Sequence, residues 1–290
     1  MKIGLIMKSL QAEFFQEMKK GAQAFAATRN DFELITVGTN SQTEIDQQIE
    51  LINNFIQQKV DALVVVPIDS KALVPVVVKA VKAGIKVVNI DIRLDEALLA
   101  QNGIELTYVG PDNATASKMV GDVLARKVGK GAKVIIIEGL AVAENAQQRK
   151  AGFLKSIEEN ELHLVASEAA DWETDKAEEV FARLYVQHPD IEGVMCSNDA
   201  MALGVMKVLE ANGKTGQIAV VGFDNDASVQ PLLENGQMLA TIDAFGSQMA
   251  VEGIQYALKV IGGMENKGSF ATRFTLKCGK NDLKSYKIIL

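Results

Sequence analysis

The chain has 290 residues, 48% of them hydrophobic, so it can bury a substantial core and divides more naturally into two domains than one. Thirty Lys and Arg residues against 37 Asp and Glu residues give a net charge of −7, with the charges interspersed. This balance argues against nucleic acid as a partner. The longest apolar runs, at 62–68 and 72–78, are far shorter than the roughly 18 residues that indicate a membrane span.

Short β-rich runs alternate with helix-length segments in the first part of the chain. The predicted strands are "KIGLIM", "FELITVG", "DALVVVP" and "KVVNID", and the predicted helices are 13–28, 43–58 and 71–83. These strands are nearly continuous apolar runs, which is typical of strands buried on both faces of a parallel sheet. Repeated β-α-β units therefore predict a parallel sheet covered by helices on both sides.

The same pattern starts again after "LTYVGPDN". The predicted strands are "KVIIIEG", "HLVASEAA", "GVMCSND" and "IAVVGFDN", and the predicted helices are 114–127, 145–160, 175–187 and 201–211. A further predicted helix, 247–261, precedes a late strand, "FTLKCG". Two doubly wound, Rossmann-like α/β sheets in succession are the simplest interpretation.

The cysteines and histidines give no sign of a metal site or a catalytic nucleophile. Cys196 and Cys278 form no CxxC motif, and we expect two small buried thiols, with a disulfide left open. His163 and His188 have no Cys or Ser nucleophile motif around them, and neither GxGxxG nor GxxxxGK[ST] is present. The acidic run at 224–228 is too short for a calcium loop. We therefore predict no enzyme, no cofactor and no metal.

Polar and aromatic residues follow several predicted strands, where open parallel sheets bind their ligands. They are Lys8, Ser9, 67–69, Asp91, Glu138, Gly139, Trp172, Asn198, Asp199, Asp224 and Asn225. Carboxylates and amides exchange hydrogen bonds with hydroxyl groups, and aromatic faces cover the C–H patches of a ring. The set favours a neutral, hydroxyl-rich ligand, with Phe14 and Phe15 as an apolar wall. The alternative is that these rings belong to the core and that single polar residues are helix caps.

Six segments carry a family resemblance: "KIGLIMKSLQAEFFQEMKKGAQ", "PIDSKALVPVVVKAVKAGIKVVNIDIR", "VIIIEGLAVAENAQQRKAGF", "LVASEAADWETDKA", "CSNDAMALGVMKVLEANGKTG" and "IAVVGFDNDASVQPLLENGQMLATI". Together they resemble the periplasmic sugar-binding proteins of ABC importers, which have the type I periplasmic binding protein fold. Within that family they are similar to the ribose- and allose-binding members. The resemblance runs in order from about residue 3 to the C-terminus.

The resemblance implies two lobes joined by a three-segment hinge, with the ligand in the interlobe cleft. The N-terminal lobe would be 1–110 plus 246–273, and the C-terminal lobe 111–245 plus 274–290. By motif, the implied ligand-binding residues are Lys8, Phe14, Phe15 and Asp91 from the first lobe and Arg149, Trp172, Asn198 and Asp224 from the second. Phe15 and Trp172 would sandwich the ligand ring.

Three departures from the ribose and allose pattern bear on ligand identity. Ala12 and Glu13 stand where Asn is common before the Phe pair, Ala244 replaces a hinge Gln, and Ile92 follows Asp91. Other hexoses, pentitols and cyclitols such as myo-inositol therefore stay open. Whether Asp243 replaces the missing Gln also stays open, although a strand neighbour normally faces the other way.

The implied mechanism is hinge closure around the ligand, followed by delivery to an ABC transporter permease. We expect a periplasmic monomer whose secretory signal has been removed ahead of Met1; chemoreceptor docking and lipid anchoring stay open. The alternative is the effector-binding core of a LacI-type repressor, which shares "IAVVGFDN". That alternative needs a helix-turn-helix domain before Ile3, and Lys8, "ADW" and "CSNDAMALG" favour the importer family.

Overall fold

The computed structural model describes residues 1–279, which fold into two compact units. The first unit comprises Met1–Pro111, Val142–Asn145 and Phe245–Arg273, and the second comprises Asp112–Ala141, Ala146–Ala244 and 274–279. The short segment Val142–Asn145 thus groups with the first unit, whereas the predicted division keeps it inside the second lobe. Residues 280–290, which the prediction assigns to that lobe, lie outside the described residues.

Twelve strands occur within residues 1–279. In chain order they are β1 Lys2–Ile6, β2 Glu33–Val37, β3 Ala62–Val65, β4 Lys86–Ile90, β5 Thr107–Gly110, β6 Lys133–Glu138, β7 His163–Ala169, β8 Gly193–Cys196, β9 Ala219–Val221, β10 Ala240–Asp243, β11 Ser269–Ala271 and β12 Thr275–Cys278.

Ten α-helices connect these strands in the same part of the chain. They are α1 Glu13–Ala27, α2 Ile45–Gln58, α3 Val74–Lys82, α4 Glu96–Gln101, α5 Asn113–Val128, α6 Glu144–Glu159, α7 Thr174–Gln187, α8 Asp199–Ala211, α9 Gln230–Glu234 and α10 Gly246–Ile261, with a 3₁₀ turn at Ala227–Val229.

Each unit contains one six-stranded sheet, and the two sheets repeat one strand order. The first runs β2-β1-β3-β4-β5-β11 with every pair parallel, and the second runs β7-β6-β8-β9-β10-β12, where only β12 is antiparallel to its neighbour. The predicted fold class of two doubly wound α/β lobes is confirmed. In both sheets the order reverses at the first strand of the unit, which marks the strand ends where such sheets bind ligands.

The central strands are apolar because helices cover both faces of each sheet. Every residue of β3 and of β8 is buried, as expected for the middle of a parallel sheet. In the first unit α2, α3 and α4 pack on one face, and α1 and α10 pack together on the other. Helix α1 buries Phe14, Phe15, Met18 and Ala22, which recur at the spacing of one helical face.

The structure contains five short elements that are not among the predicted strands and helices, which are α4, α9, β5, β10 and β11. Each has three to six residues, too few to show a clear period. Helix α4 is fixed by its cap, since the Asp95 carboxylate accepts the Leu98 N–H at 2.8 Å. The predicted start of α3 is early by three residues because Asp69 Oδ1 accepts the N–H groups of Lys71 and Ala72 in a turn. None of the helices in residues 1–279 has both the length and the apolar character needed to cross a membrane.

Neither cysteine forms a disulfide within residues 1–279. Cys196 is buried in β8, as predicted, but Cys278 is only half-buried, so the prediction of two buried thiols is wrong for Cys278. The reason is its position on β12, which pairs only with β10 at the edge of the second sheet.

Candidate ligand-binding residues in each unit

A buried glutamine fixes two strand-end loops of the first unit. The Gln48 side-chain amide donates to the carbonyls of Met7 at 3.2 Å and Val66 at 2.8 Å. Its oxygen accepts the Ile68 N–H at 2.8 Å. One side chain from α2 therefore holds the chain just after β1, which continues into Lys8, and just after β3.

Asn89 does the same for the loop after β4. Its amide nitrogen donates to the carbonyls of Val65 at 3.2 Å and Ile92 at 2.7 Å, and its oxygen accepts the Leu94 N–H at 2.8 Å. A polar residue inside a buried strand is stable only because both ends of its amide are bonded. The loop 91–94 is thereby held in one conformation.

Asp91 lies buried directly after β4, with a left-handed backbone of φ 63°. Aspartate tolerates this region better than most residues. Its N–H donates to the Val109 carbonyl at 2.9 Å, and its carbonyl accepts the Tyr108 hydroxyl at 2.8 Å. The Asp91 main chain is therefore fixed from the neighbouring strand β5.

The structure brings Lys8 and Phe15 together and separates the roles of the two phenylalanines. The buried Lys8 Nζ lies 5.8 Å from the Phe15 ring centroid, and the Phe14 and Phe15 rings meet edge to face with centroids 5.2 Å apart. Phe14 packs on the start of α10, where a Cβ at Gly246 would lie 2.8 Å from its ring. Phe14 thus contributes to the packing of α1 on α10, and Phe15 to the surroundings of Lys8.

Arg93, the residue after Ile92, contacts residues of β5 and β11. The Ile92 side chain is fully buried. The Arg93 guanidinium lies 3.8 Å from the Tyr108 ring centroid and donates to Ser269 Oγ at 2.8 Å. The guanidinium therefore interacts with side chains of β5 and β11 in the first unit.

Arg149 is the centre of the candidate residues in the second unit. Its Nε donates to Asn113 Oδ1 at 2.9 Å, and its Nη1 donates to the Ser197 carbonyl at 2.7 Å. The guanidinium lies 3.5 Å from the Phe223 ring centroid, and Nη1 is 3.5 Å from Asp224 Oδ1. Elements α5, α6, β8 and the turn after β9 meet at this one buried side chain.

Trp172 stands beside this cluster. Its ring centroid is 5.4 Å from the Arg149 guanidinium, and it is buried with φ 72°, a value that a bulky residue rarely adopts. The ring packs against Gly139, where an added Cβ would overlap it. Gly139 is therefore required for the close approach of the indole to the end of β6.

Asn198 caps α8, as the structural alternative for strand-end polar residues predicts. Its Oδ1 accepts the Met201 N–H at 2.9 Å, and its Nδ2 lies 3.4 Å from the Trp172 carbonyl oxygen. The cap orients the amide nitrogen toward the Trp172 segment. For a ligand, Asn198 therefore offers chiefly an N–H donor.

Asp199, the next residue, is fully buried, and its carboxyl accepts hydrogen bonds from the Thr241 hydroxyl and the Asp226 N–H. Burial raises the pKa of the Asp199 carboxyl well above its ordinary value, and the nearby Asp224 charge raises that pKa further. Burial also raises the pKa of the Cys196 thiol on the adjacent strand, with a contribution from Asp199.

Asp243 is engaged within the second unit. Its carboxylate accepts the Asn225 side-chain amide at 3.1 Å and lies 3.7 Å from Lys277 Nζ. Thr241, two residues earlier on the same strand, faces the same turn after β9. Ala244, which stands in the position of the hinge Gln, is buried and supplies no polar group.

The predicted residues thus form local sets. Lys8 and Phe15 are together in the first unit, while Asp91 follows β4, two strands away from β1 in the sheet. In the second unit Arg149, Trp172 and Asp224 form one cluster, with Asn198 at its edge.

The sequence analysis missed the buried residues that hold these sets in place, which are Gln48, Asn89, Asn113, Phe223 and, in this role, Asp199. An isolated polar residue in an apolar run, as in "KVVNID", was the available signal. Within residues 1–279, no three or more His, Cys, Asp and Glu side chains are grouped so that they could hold a metal ion.

Residues 3–265 of this chain match the family described as the periplasmic binding protein domain. Over 263 residues the chain is 43% identical to the D-ribose/D-allose-binding protein of Pseudomonas aeruginosa, an alignment that covers 90% of this chain and 82% of that protein.

Two solved structures are similar to it along nearly the whole chain. An ABC transporter solute-binding protein from Burkholderia multivorans, with an unknown ligand represented as α-D-erythrofuranose, is 41% identical with a TM-score of 0.93 and covers 95% of this chain and 98% of its own. A periplasmic solute-binding protein from Actinobacillus succinogenes with bound D-allose is 34% identical with a TM-score of 0.90. The similarity covers 98% of this chain and 99% of that protein's chain.

Proposed function

This chain belongs to the periplasmic binding protein domain family, as its motifs predicted, and from that premise we propose that it is the solute-binding protein of a carbohydrate ABC importer. The proposed ligand is a neutral polyhydroxylated compound, a monosaccharide such as D-ribose or D-allose or a cyclitol such as myo-inositol. The similar proteins above are binding proteins, and we propose binding without catalysis here too.

One observation carries the proposal, the environment of Arg149. The guanidinium is buried against Phe223, fixed by Asn113 and placed beside Asp224. A cation and a carboxylate held in this way offer a donor and an acceptor at fixed positions, which suits vicinal hydroxyl groups. The Trp172 ring beside them supplies the apolar face that a sugar ring needs.

We propose that the first unit contributes Lys8, Phe15 and Asp91 to the same ligand, and that the ligand favours a closed state by engaging residues of both units. Phe14 would act through the packing of α1, and Asn198 through the end of α8. The proposed partner is an ABC transporter permease, and the proposed location and state are the periplasm and a monomer.

The repressor-core alternative loses support, because both similar structures are named as ABC transporter solute-binding proteins. The lost amides at Ala12 and Ala244 favour a ligand whose hydroxyl pattern differs from that of ribose or allose. The ligand screen must therefore extend beyond those two sugars.

The test is a thermal-shift screen with D-ribose, D-allose, other pentoses and hexoses, pentitols and myo-inositol, followed by titration calorimetry. A ligand at a hundredfold excess over its Kd should stabilise the native state by about 2.7 kcal/mol. Because Trp172 is the only tryptophan, its emission should also change on binding.

Two variants and a control make the screen specific. Asp91→Ala and Trp172→Ala should abolish the shift caused by the ligand, whereas Asp190→Ala, at an exposed site after α7, should leave it unchanged. A folded protein that no compound in the panel stabilises would contradict the proposed function.

A further inference from the structure

We propose that Asp199, fully buried in the first turn of α8, is a positioning residue for ligand binding because its side chain fixes the turn that carries Asp224. The inference rests on the proposed function, in which Asp224 contacts the ligand. The Asp199 carboxyl does not cap α8, since Asn198 does, and it is not among the contacts of Arg149 described above. Its presence at this position therefore needs another explanation.

The turn after β9 has an unfavourable backbone. Asp224 has φ 116° and Asn225 has φ 60°, so two successive residues with side chains lie in a region that favours glycine. Such a turn persists only where its surroundings hold it. One hydrogen bond comes from β10, where the Ile242 carbonyl accepts the Asp224 N–H at 2.7 Å.

Asp199 supplies hydrogen bonds on both sides of this pair. Its own N–H donates to the Phe223 carbonyl at 2.7 Å, just before the turn. Its Oδ2 accepts the Asp226 N–H at 3.0 Å, just after the turn. Its Oδ1 accepts the Thr241 hydroxyl at 2.8 Å, which connects the same carboxyl to β10. The left-handed pair is therefore held at both ends by one residue.

The backbone passes very close to this carboxyl. A Cβ at Gly222 would overlap Asp199 Oδ1, so only glycine permits the approach. The turn is also held from outside, because Asn225 Nδ2 donates to Asp243 at 3.1 Å and Gln230 donates to Asn225 Oδ1 at 2.5 Å. Asp199 thus bonds the main chain before and after the turn, whereas Asp243 and Gln230 bond the Asn225 side chain.

The charges are compatible with this role. The titratable groups that act on or respond to Asp199 are Asp224 from the turn and Cys196 from β8. Burial, and then the Asp224 charge, raise the pKa of the Asp199 carboxyl, while the hydrogen bonds that it accepts from Thr241 and the Asp226 N–H lower that pKa. The negative charge of Asp224 is in turn paired with Arg149 at 3.5 Å. Asp199 therefore acts on the turn through its hydrogen bonds.

The test compares Asp199→Ala and Asp199→Asn with the control Ser156→Ala. Ser156 is also fully buried in the second unit and donates to Asp122 at 2.7 Å, but it lies two helical turns along α6 from Arg149. The readouts are amide hydrogen exchange at Asp226 in the ligand-free protein, relative to core amides of β6, and titration with D-ribose and with D-allose.

Asp199→Ala should speed exchange at Asp226 at least about tenfold relative to β6 and weaken sugar binding at least about tenfold. Asp199→Asn should restore both, because its oxygen can accept the Asp226 N–H and its nitrogen can donate to the Thr241 hydroxyl. Ser156→Ala should lower overall stability and change neither readout. Thr241→Val, which removes one bond to the same carboxyl, gives a smaller loss and replaces Asp199→Ala if that variant does not fold.

Wild-type exchange at Asp226 together with wild-type affinity in folded Asp199→Ala overturns the inference. Equal losses in Asp199→Asn and Asp199→Ala also overturn it, since the hydrogen bonds would then not be what matters. If the wild-type protein binds neither sugar, the choice of ligand fails, and the exchange at Asp226 still decides whether Asp199 holds the turn.

Discussion

The guanidinium carbon of Arg149 lies 3.5 Å from the centroid of the Phe223 ring, close enough for the planar group to stack on the ring. Two nitrogens of the same group donate in different directions, to Asn113 and to the Ser197 carbonyl. Stacking and a fixed fork of donors occur together only in arginine. This geometry explains why residue 149 is arginine rather than lysine. A substitution at Arg149 is therefore a direct test of the proposed binding site.

Arg149→Lys should weaken ligand binding even though the charge is kept. A lysine ammonium cannot stack on Phe223 while donating to both partners, so the charge beside Asp224 would be less well placed. We expect the affinity for the sugar found in the screen to fall at least about tenfold, or about 1.4 kcal/mol, by titration calorimetry.

The matched control for that change is Lys155→Ala, which removes a cation from an exposed site on the same helix. Its affinity should equal that of the wild type, since exposed ion pairs contribute little. Wild-type affinity in folded Arg149→Lys would remove Arg149 from the proposed binding residues.

Gly139→Ala should displace the Trp172 ring. An added methyl group overlaps the indole, and such overpacking typically costs about 1–3 kcal/mol of stability. We expect a shifted emission spectrum from the single tryptophan and weaker sugar binding. Gly262→Ala is the control, because that glycine has φ −72° and its nearest contact to an added Cβ is 3.3 Å. An unchanged spectrum in Gly139→Ala would show that the indole does not depend on this glycine.

Asn89→Asp tests the buried amide that holds the loop after β4. The isosteric carboxylate would face the carbonyl oxygens of Val65 and Ile92, which now accept from the amide. We expect the free energy of unfolding to fall by at least about 2 kcal/mol in urea titrations. Asn102→Asp makes the same chemical change at an exposed helix end, where the amide donates only to the Leu98 carbonyl, and should lower the free energy of unfolding by less. Equal stability of the two variants would contradict the structural role of Asn89.

The fold class could be predicted from the sequence because the pattern of apolar residues indicates where the longer strands and helices lie. Runs such as "ALVV" in β3 are apolar at every position because helices cover both faces of the sheet, and the βαβ repeat then fixes a parallel order. The short elements α4, α9, β5, β10 and β11 have too few residues for such a pattern.

The roles of individual residues were harder to predict because distant partners decide them. Phe14 and Phe15 are the same residue type at adjacent positions, so the sequence does not distinguish their roles. Only Phe14 contacts Gly246 at the start of α10, which lies far along the chain. Asn89 bonds only backbone groups, which leave no trace in the sequence of its partners. The ligand contacts of the eight predicted residues stay a prediction.

The two cysteines should differ in reactivity. Cys196 is fully buried, and burial followed by the Asp199 charge raises the pKa of its thiol. Since the thiolate is the reactive form, Cys196 in a Cys278→Ser variant should resist a disulfide reagent until the protein unfolds. The half-buried Cys278 in a Cys196→Ser variant should react faster. Rapid labelling of native Cys196 would contradict its burial.

Asp199→Asn should stabilise the protein increasingly as the pH rises. Burial, and then Asp224, raise the pKa of Asp199 in the folded state, while the unfolded chain has a value of about 3.9. A group whose pKa is higher in the folded state contributes stability that is fully present below its unfolded-state pKa. That stability is lost as the pH rises from the unfolded-state pKa toward the folded-state pKa. The variant has no such loss. Its advantage in unfolding free energy should therefore grow above about pH 4, by about 1.4 kcal/mol per pH unit.

Asp190→Asn provides a control of opposite sign. The Lys133 hydrogen bond lowers the pKa of the exposed Asp190 carboxyl, so the wild-type residue contributes stability above the unfolded-state pKa. Removing that carboxylate should make the variant slightly less stable as the pH rises through the acid range, when followed by urea titration at each pH. A pH-independent difference between Asp199→Asn and the wild type would mean that Asp199 ionises in the folded protein as it does in the unfolded chain. The raised pKa of Asp199 would then be wrong, whatever the hydrogen bonds of the turn.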